Sequence, residues 1–205
     1  MKKFFHDYSY NIVKMFVNQF AISLFGFSLT LATTQIYVSK KATSGIDVLT
    51  LLVSIFAVMF YLFLIYTLAW EIGAKDRISV DSGKKPYRPY LGLLLSLVAN
   101  IPNLCAALIF AIAAIFNASS VMFIVRFIAT IIQGMYFGII TALSLPIGGT
   151  YVQLNSLWPT FFLITVPAMF TSWLGYLLGH KEFRLLASVF NKQSKTDSTS
   201  QNTKK

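Results

Sequence analysis

Three amide side chains lie deep within apolar stretches of the sequence, where polar groups are rare. Asn100 and Asn103 occur in the segment ANIPN, and Gln133 falls near the middle of the next apolar stretch. At 1.5 Å per helical residue, Asn100 is roughly 14 Å from the start of its stretch, about half of a bilayer's hydrocarbon thickness. Amide donors and acceptors at that depth need partners that lipid does not provide. We therefore predict that Asn100, Asn103 and Gln133 form one polar cluster.

This cluster has two interpretations. Pro102 lacks a backbone N–H and frees the carbonyl of Val98, so the helix is expected to kink toward the cluster. In the first interpretation, hydrogen bonds between the amides hold the kinked helix to its neighbour. In the second, the same amides bind a small solute and line its path. The sequence leaves both open.

Side chains suited to catalysis are sparse. The chain has seven carboxylates and two histidines, and none lies near the middle of an apolar stretch. The sequence contains no HExxH, GxSxG or P-loop motif, so we predict no enzyme, no metal site and no cofactor. Asp76 and Asp81 are the only neighbouring acids in the polar segment 71–90. We interpret them as solvated loop residues, with a membrane-embedded enzyme acting on lipid at this cytoplasmic face as the alternative.

Two ion pairs are expected at helix ends. Glu71 precedes Lys75 by four residues, the favourable order for a helical ion pair worth a few tenths of a kcal/mol. Arg126 lies about five residues inside its apolar stretch, and its long stem lets the charge reach the interface. Asp47 is expected at similar depth and is the most plausible partner of Arg126.

Small residues recur at a spacing of four and predict close helix packing. Such pairs allow two helix backbones to approach closely in lipid. Packing within the bundle is favoured over a dimer interface. The residues concerned are Gly134 and Gly138, Gly175 and Gly179, and Ala69 and Gly73.

The elements that position all these residues are expected to be membrane helices. Apolar types make up 56% of the 205 residues and charged types only 12%, roughly half of what a soluble domain carries. Backbone amides in lipid need internal partners, which favours helices. The predicted fold class is all-α: a polytopic integral membrane protein, a bundle of about five membrane-inserted helices with four or five full spans. The apolar stretches run approximately over 15–37, 48–70, 91–116, 121–145 and 158–178.

Basic residues lie in blocks between the apolar stretches. The net charge of +10 is therefore typical of contact with anionic headgroups, and nucleic acid is not expected as a partner. The blocks place the N-terminus, segment 71–90 and the C-terminal region on the cytoplasmic side of a multi-pass plasma-membrane protein. Five full crossings would leave the basic C-terminal region outside. Either residues 121–145 re-enter by a break at Gln133–Gly134, or the C-terminus departs from the rule.

One domain is expected. Residues 1–190 form a single transmembrane helical domain, with a short surface helix near 181–190, and 191–205 form a disordered polar tail. The predicted function is non-enzymatic. The chain is either an accessory subunit of a larger membrane complex or a small-solute transport module, with the lipid bilayer as its constant partner.

Overall fold

The computed structural model describes residues 2–39 and 48–182. Asp47, the segment 183–190 of the expected surface helix and the expected tail 191–205 lie outside the described residues. The described part is mostly helical, in agreement with the all-α prediction. Its elements are α1 Lys2–Ser39, α2 Val48–Asp81, α3 Leu91–Ala99, α4 Ile101–Ile115, α5 Ser119–Ile132, a 3-10 turn Gly134–Tyr136, α6 Phe137–Ala142, β1 Ser144–Ile147, β2 Thr150–Gln153, a 3-10 turn Leu154–Ser156, α7 Trp158–Leu163 and α8 Val166–His180.

Three to five parts of the described chain have the length and composition of a membrane span. Three are single helical stretches, Phe4–Ile36, Val48–Asp81 and Trp158–His180. The other two are bent pairs, α3 with α4 at an angle of 57° and α5 with Gly134–Ala142 at an angle of 91°. The two bends fall at Asn100 and at Gln133, so each interrupted stretch breaks at a predicted cluster residue.

The polar segment 71–90 is not a loop throughout, as the sequence had suggested. Helix α2 continues eleven residues past Trp70, to Asp81, and only the remainder connects it to α3. The extension is stabilised by packing, because Ile72, Gly73 and Asp76 are buried on one side of it. Burial of one face thus keeps residues 71–81 helical, although most of their side chains are polar.

A β-hairpin lies between the apolar stretches predicted at 121–145 and 158–178. Strands β1 and β2 pair antiparallel, with Ser144 opposite Gln153 and Ile147 opposite Thr150. Gly148 and Gly149 form the two-residue turn, and both have positive φ angles, of 58° and 81°. Glycine adopts these angles without the strain that a Cβ would cause, and such turns match the twist of paired strands.

Helices α2 and α8 approach each other through small residues on both partners. A Cβ added to Gly175 would lie 2.7 Å from the carbonyl oxygen of Tyr66, and one added to Gly179 would overlap the carbonyl of Trp70. Reciprocally, a Cβ on Gly73 of α2 would overlap the carbonyl of Tyr176. The spaced small residues therefore face another helix of the same chain.

Gly134 and Gly138 make similar approaches to the first two helices. An added Cβ would lie 2.5 Å from the Ser23 carbonyl oxygen in the case of Gly134, and 2.6 Å from the Thr50 carbonyl oxygen in the case of Gly138. The hydroxyl of Ser54 also donates a hydrogen bond of 2.6 Å to the carbonyl of Met135. These contacts seat the broken segment after α5 against α1 and α2.

The helix ends sort into two groups. Tyr8 of α1, Asp76 of α2, and Tyr176 of α8 are hydrogen-bonded together, and Lys85 just before α3 joins them; we call this the basic end. At the opposite end, Thr33 of α1 and Thr50 of α2 lie 2.9 Å apart, and α6 packs beside Thr50. The end of α8 thus lies with the start of α1, not across the bundle from it.

Gly175→Val should lower the free energy of unfolding by about 1–3 kcal/mol, because the new side chain meets backbone that cannot rotate away. Ala21→Val is the matched control, since Ala21 is exposed on α1 and the change should be nearly neutral. Unfolding in detergent measures both. A change of oligomeric state with unaltered stability in Gly175→Val would instead place this glycine at a dimer interface.

Candidate functional site

The three predicted amides share one interior cavity. The side chains of Asn100, Asn103 and Gln133 are 2%, 1% and 2% exposed, so each is enclosed by protein. The remainder of the lining comes from four other segments of the chain and includes Gln19 of α1, Tyr61 of α2, Tyr136, and Thr165 at the start of α8. We call Asn100, Asn103 and Gln133 the amide cluster.

The helix break between α3 and α4 is built around Asn100. Its side-chain Nδ2 donates to the carbonyl of Ser96 at 2.9 Å, and its Oδ1 accepts a hydrogen bond of 2.7 Å from Nδ2 of Asn103. Pro102, in the first turn of α4, contributes no backbone donor. The side-chain amide of Asn100 thus bonds to the last turn of α3. Its backbone carbonyl accepts a hydrogen bond of 3.0 Å from the N–H of Leu104 in the first turn of α4.

Gln133 reaches the same cavity from the break after α5 but has no partner there. Neither Oε1 nor Nε2 of its side chain makes a hydrogen bond, and the Oδ1 of Asn103 and the hydroxyl of Tyr136 are also unpaired. The space among these groups is too small for a water molecule. Each buried group left without a partner costs about 1–3 kcal/mol. The cavity is closed at the expense of unpaired polar atoms.

A second polar site lies at the basic end, and sequence reasoning missed it. Asp76 is only 8% exposed. Its Oδ2 accepts hydrogen bonds from the hydroxyls of Tyr8 at 2.8 Å and Tyr176 at 3.2 Å, and Lys85 Nζ lies 4.0 Å from its Oδ1. We call Tyr8, Asp76, Lys85 and Tyr176 the Asp76 cluster. It joins α1, α2, the connection to α3, and α8.

The interpretation of Asp76 and Asp81 as two equivalent loop acids is wrong. Asp81 is exposed and pairs with Arg77 one turn earlier, at 3.4 Å, whereas Asp76 points into the bundle. Five residues along a helix is a rotation of about 140°, so the two carboxylates face different sides. The pattern available in the sequence was the spacing of Ala69, Gly73 and Asp76, which places Asp76 on the packing face of α2.

The predicted ion pair of Glu71 and Lys75 forms at the protein surface, outside both clusters. Lys75 Nζ lies 2.7 Å from Glu71 Oε1, and both side chains are largely exposed. Arg126 is half-buried on α5, and its expected partner Asp47 lies outside the described residues. Within 2–39 and 48–182, no group of histidine, cysteine and acidic residues has the arrangement of a metal site.

Asp76→Ala should lower the free energy of unfolding by about 2–5 kcal/mol, since it leaves two buried tyrosine hydroxyls and a lysine without their acceptor. Asp81→Ala, the matched control, should change it by less than about 0.5 kcal/mol because that ion pair is exposed. Equal effects of the two variants on the unfolding midpoint would contradict the structural role of Asp76.

Comparisons with protein-family models, with curated proteins and with solved structures found no match to this chain. Its function is therefore inferred from the contacts within the chain. The two features that a function has to account for are the unpaired amide cluster and the basic end.

Proposed function

We propose that this chain is an integral membrane protein that binds a small uncharged polar solute at the amide cluster and passes it across the bilayer. The observation that carries the proposal is the unpaired amide of Gln133, held where two interrupted helices meet. Transporters commonly place their solute sites at such breaks near the bilayer midplane. A buried amide without a partner is unfavourable, and a bound solute would supply its missing hydrogen bonds.

The charge distribution supports a membrane crossing with a defined orientation. The basic end carries Lys75, Lys84, Lys85, Arg88 and Lys181, while the hairpin of β1 and β2 and the loop after α4 carry no charged residue. The rule that positive loops stay in the cytoplasm places the basic end inside.

The broken helices reconcile this orientation with the number of apolar stretches. In the proposed topology, α1 and α2 each cross. Helix α3 rises to the amide cluster, α4 and α5 leave and return to it, and α6 completes the third crossing. Helices α7 and α8 then make the fourth. This path brings the end of α8 back to the cytoplasmic side. It shares the break at Gln133–Gly134 and the cytoplasmic C-terminus with the re-entrant alternative for residues 121–145, but here α4 and α5 make the excursion instead of residues 121–145.

The lining chemistry indicates an uncharged solute. Amides and hydroxyls from Gln19, Tyr61, Tyr136 and the amide cluster surround the cavity, and no acid or base is among its lining residues. An ion would lack a counter-charge in this low-dielectric site, and its desolvation would cost several kcal/mol. A neutral molecule with both donors and acceptors can satisfy the unpaired atoms in an opened state, because the closed cavity is too small even for water.

The other candidate functions have less support. An accessory subunit would need no unpaired interior amides, because packing alone is improved by apolar residues. A lipid-modifying enzyme at the cytoplasmic face would need free acids, but the oxygens of Asp76 are occupied by two tyrosines and approached by Lys85. Solute binding accounts for the unpaired groups.

The proposed topology predicts that the C-terminus is cytoplasmic. A fluorescent reporter that matures only in the cytoplasm should be bright when fused after Lys205, and dark when inserted between Gly148 and Gly149 at the tip of the hairpin. Whole-cell fluorescence at matched expression measures both. A dark fusion after Lys205 with good expression would exclude the four-crossing path.

Two substitutions in the amide cluster should shift stability in opposite directions. Gln133→Leu removes two unpaired buried atoms and should raise the free energy of unfolding by about 1–3 kcal/mol. Asn100→Leu breaks the bonds to Ser96 and Asn103 and should lower it by about 0.6–2 kcal/mol. Thermal unfolding of the purified protein, with and without a panel of uncharged amides and polyols at millimolar concentration, measures stability and solute response together.

The wild type should be stabilised by at least one solute of the panel, and both variants should lose that response. A variant that is more stable and yet unresponsive separates solute binding from folding. If Gln133→Leu is destabilised, or if no solute stabilises the wild type, the amide cluster is a packing feature and the transport proposal fails.

A further inference from the structure

A pocket at the basic end lies beside the Asp76 cluster and is open to the surface. Its volume is about 180 Å³, and Lys84, Lys85 and Arg88 supply three cations to its lining. Asp7 and Asp76 supply two carboxylates, and Phe4, Tyr8, Pro86 and Leu91 complete the walls. The pocket thus combines a charged mouth with an apolar side.

The charges divide into a paired interior and an unpaired rim. Lys85 Nζ lies 3.5 Å from Asp7 Oδ2 and 4.0 Å from Asp76 Oδ1, and it is 4.8 Å from the centre of the Tyr8 ring. Lys85 therefore balances one of the two negative charges, while the hydroxyls of Tyr8 and Tyr176 donate hydrogen bonds to Asp76.

Lys84 and Arg88 remain for another partner. Both are exposed, and neither makes an ion pair with an acidic residue within the described part of the chain. Pro86 restricts the backbone between them, and the N–H groups of Lys84 and Lys85 are bonded to the carbonyl of Ser79 at 3.0 and 3.3 Å. The connection that carries the two cations is thereby fixed to the end of α2.

We propose that this pocket binds a phosphate group, with Lys84 and Arg88 as its direct ligands and Lys85 as the cation that offsets part of the negative charge of Asp7 and Asp76. Arginine and lysine are the side chains that recognise phosphate oxygens, arginine in a bidentate manner. The three cations exceed the two carboxylates by one charge, which matches a phosphodiester. The phosphate belongs either to an anionic lipid headgroup or to free inorganic phosphate.

The test is a titration of the purified full chain in an uncharged detergent, followed by native mass spectrometry and by the unfolding temperature. The probes are short-chain phosphatidylglycerol, phosphatidylcholine of the same chain length and inorganic phosphate. The double variant Lys84→Gln with Arg88→Gln should weaken binding roughly 30-fold, at about 1 kcal/mol for each removed charge. Lys75→Gln with Lys181→Gln is the matched control, since it removes the same charge from the basic end outside the pocket.

Saturable binding of phosphatidylglycerol alone assigns the pocket to a lipid headgroup, and saturable binding of inorganic phosphate as well assigns it to a free anion. In both cases the control variant should bind like the wild type. If both double variants weaken binding equally, the basic surface attracts the anion nonspecifically, and the proposal is overturned. Wild-type affinity in Lys84→Gln with Arg88→Gln, or the absence of saturable binding, would overturn it too.

Discussion

The carboxylate of Asp76 is the constraint on which the arrangement of the helices depends. An acid enclosed by protein is strongly unfavourable unless donors surround it, and here the donors come from α1 and α8, with Lys85 before α3 nearby. Asp76 lies in the last turns of α2. The positions of α1, α8 and the connection to α3 are therefore fixed relative to those turns by their contacts with this acid. The close contacts at Gly73, Gly175 and Gly179 fix the same relative position of α2 and α8 by packing.

The two polar clusters use buried polarity in different ways. At Asp76 both carboxylate oxygens accept hydrogen bonds from tyrosine hydroxyls, and the result is a junction of four segments. In the amide cluster only Asn100 and Asn103 are bonded to each other, while Gln133 is enclosed without a partner. A satisfied network specifies one packing arrangement, whereas an unsatisfied one favours any state in which a partner can enter. This contrast is the basis for assigning a structural role to the Asp76 cluster and for proposing solute binding at the amide cluster.

The features that depend on local pattern could be predicted from the sequence. Apolar length indicated the helices, Pro102 indicated the break beside Asn100, and equal depth indicated that Asn100, Asn103 and Gln133 would meet. Features that depend on tertiary contact could not be predicted in this way. Asp76 resembled a solvated acid because its neighbours in the sequence are charged, and its partners Tyr8 and Tyr176 are far away along the chain. The hairpin at 144–153 was missed because its strands have only four residues each, although the Gly148–Gly149 pair between them is a local hairpin signal.

The glycine contacts between α2 and α8 also have a mechanical meaning. Two helices in backbone contact resist sliding and rotation, since no side chain lies between them to change rotamer. Helices α2 and α8 therefore act as a stiff frame. The arm formed by α4 and α5 is joined to α3 at Asn100 and to the 3-10 turn before α6 at Gln133, where the axis bends by 57° and 91°. Because both bends lie in the amide cluster, a tilt of the arm about them would change the size of the cavity without separating α2 from α8.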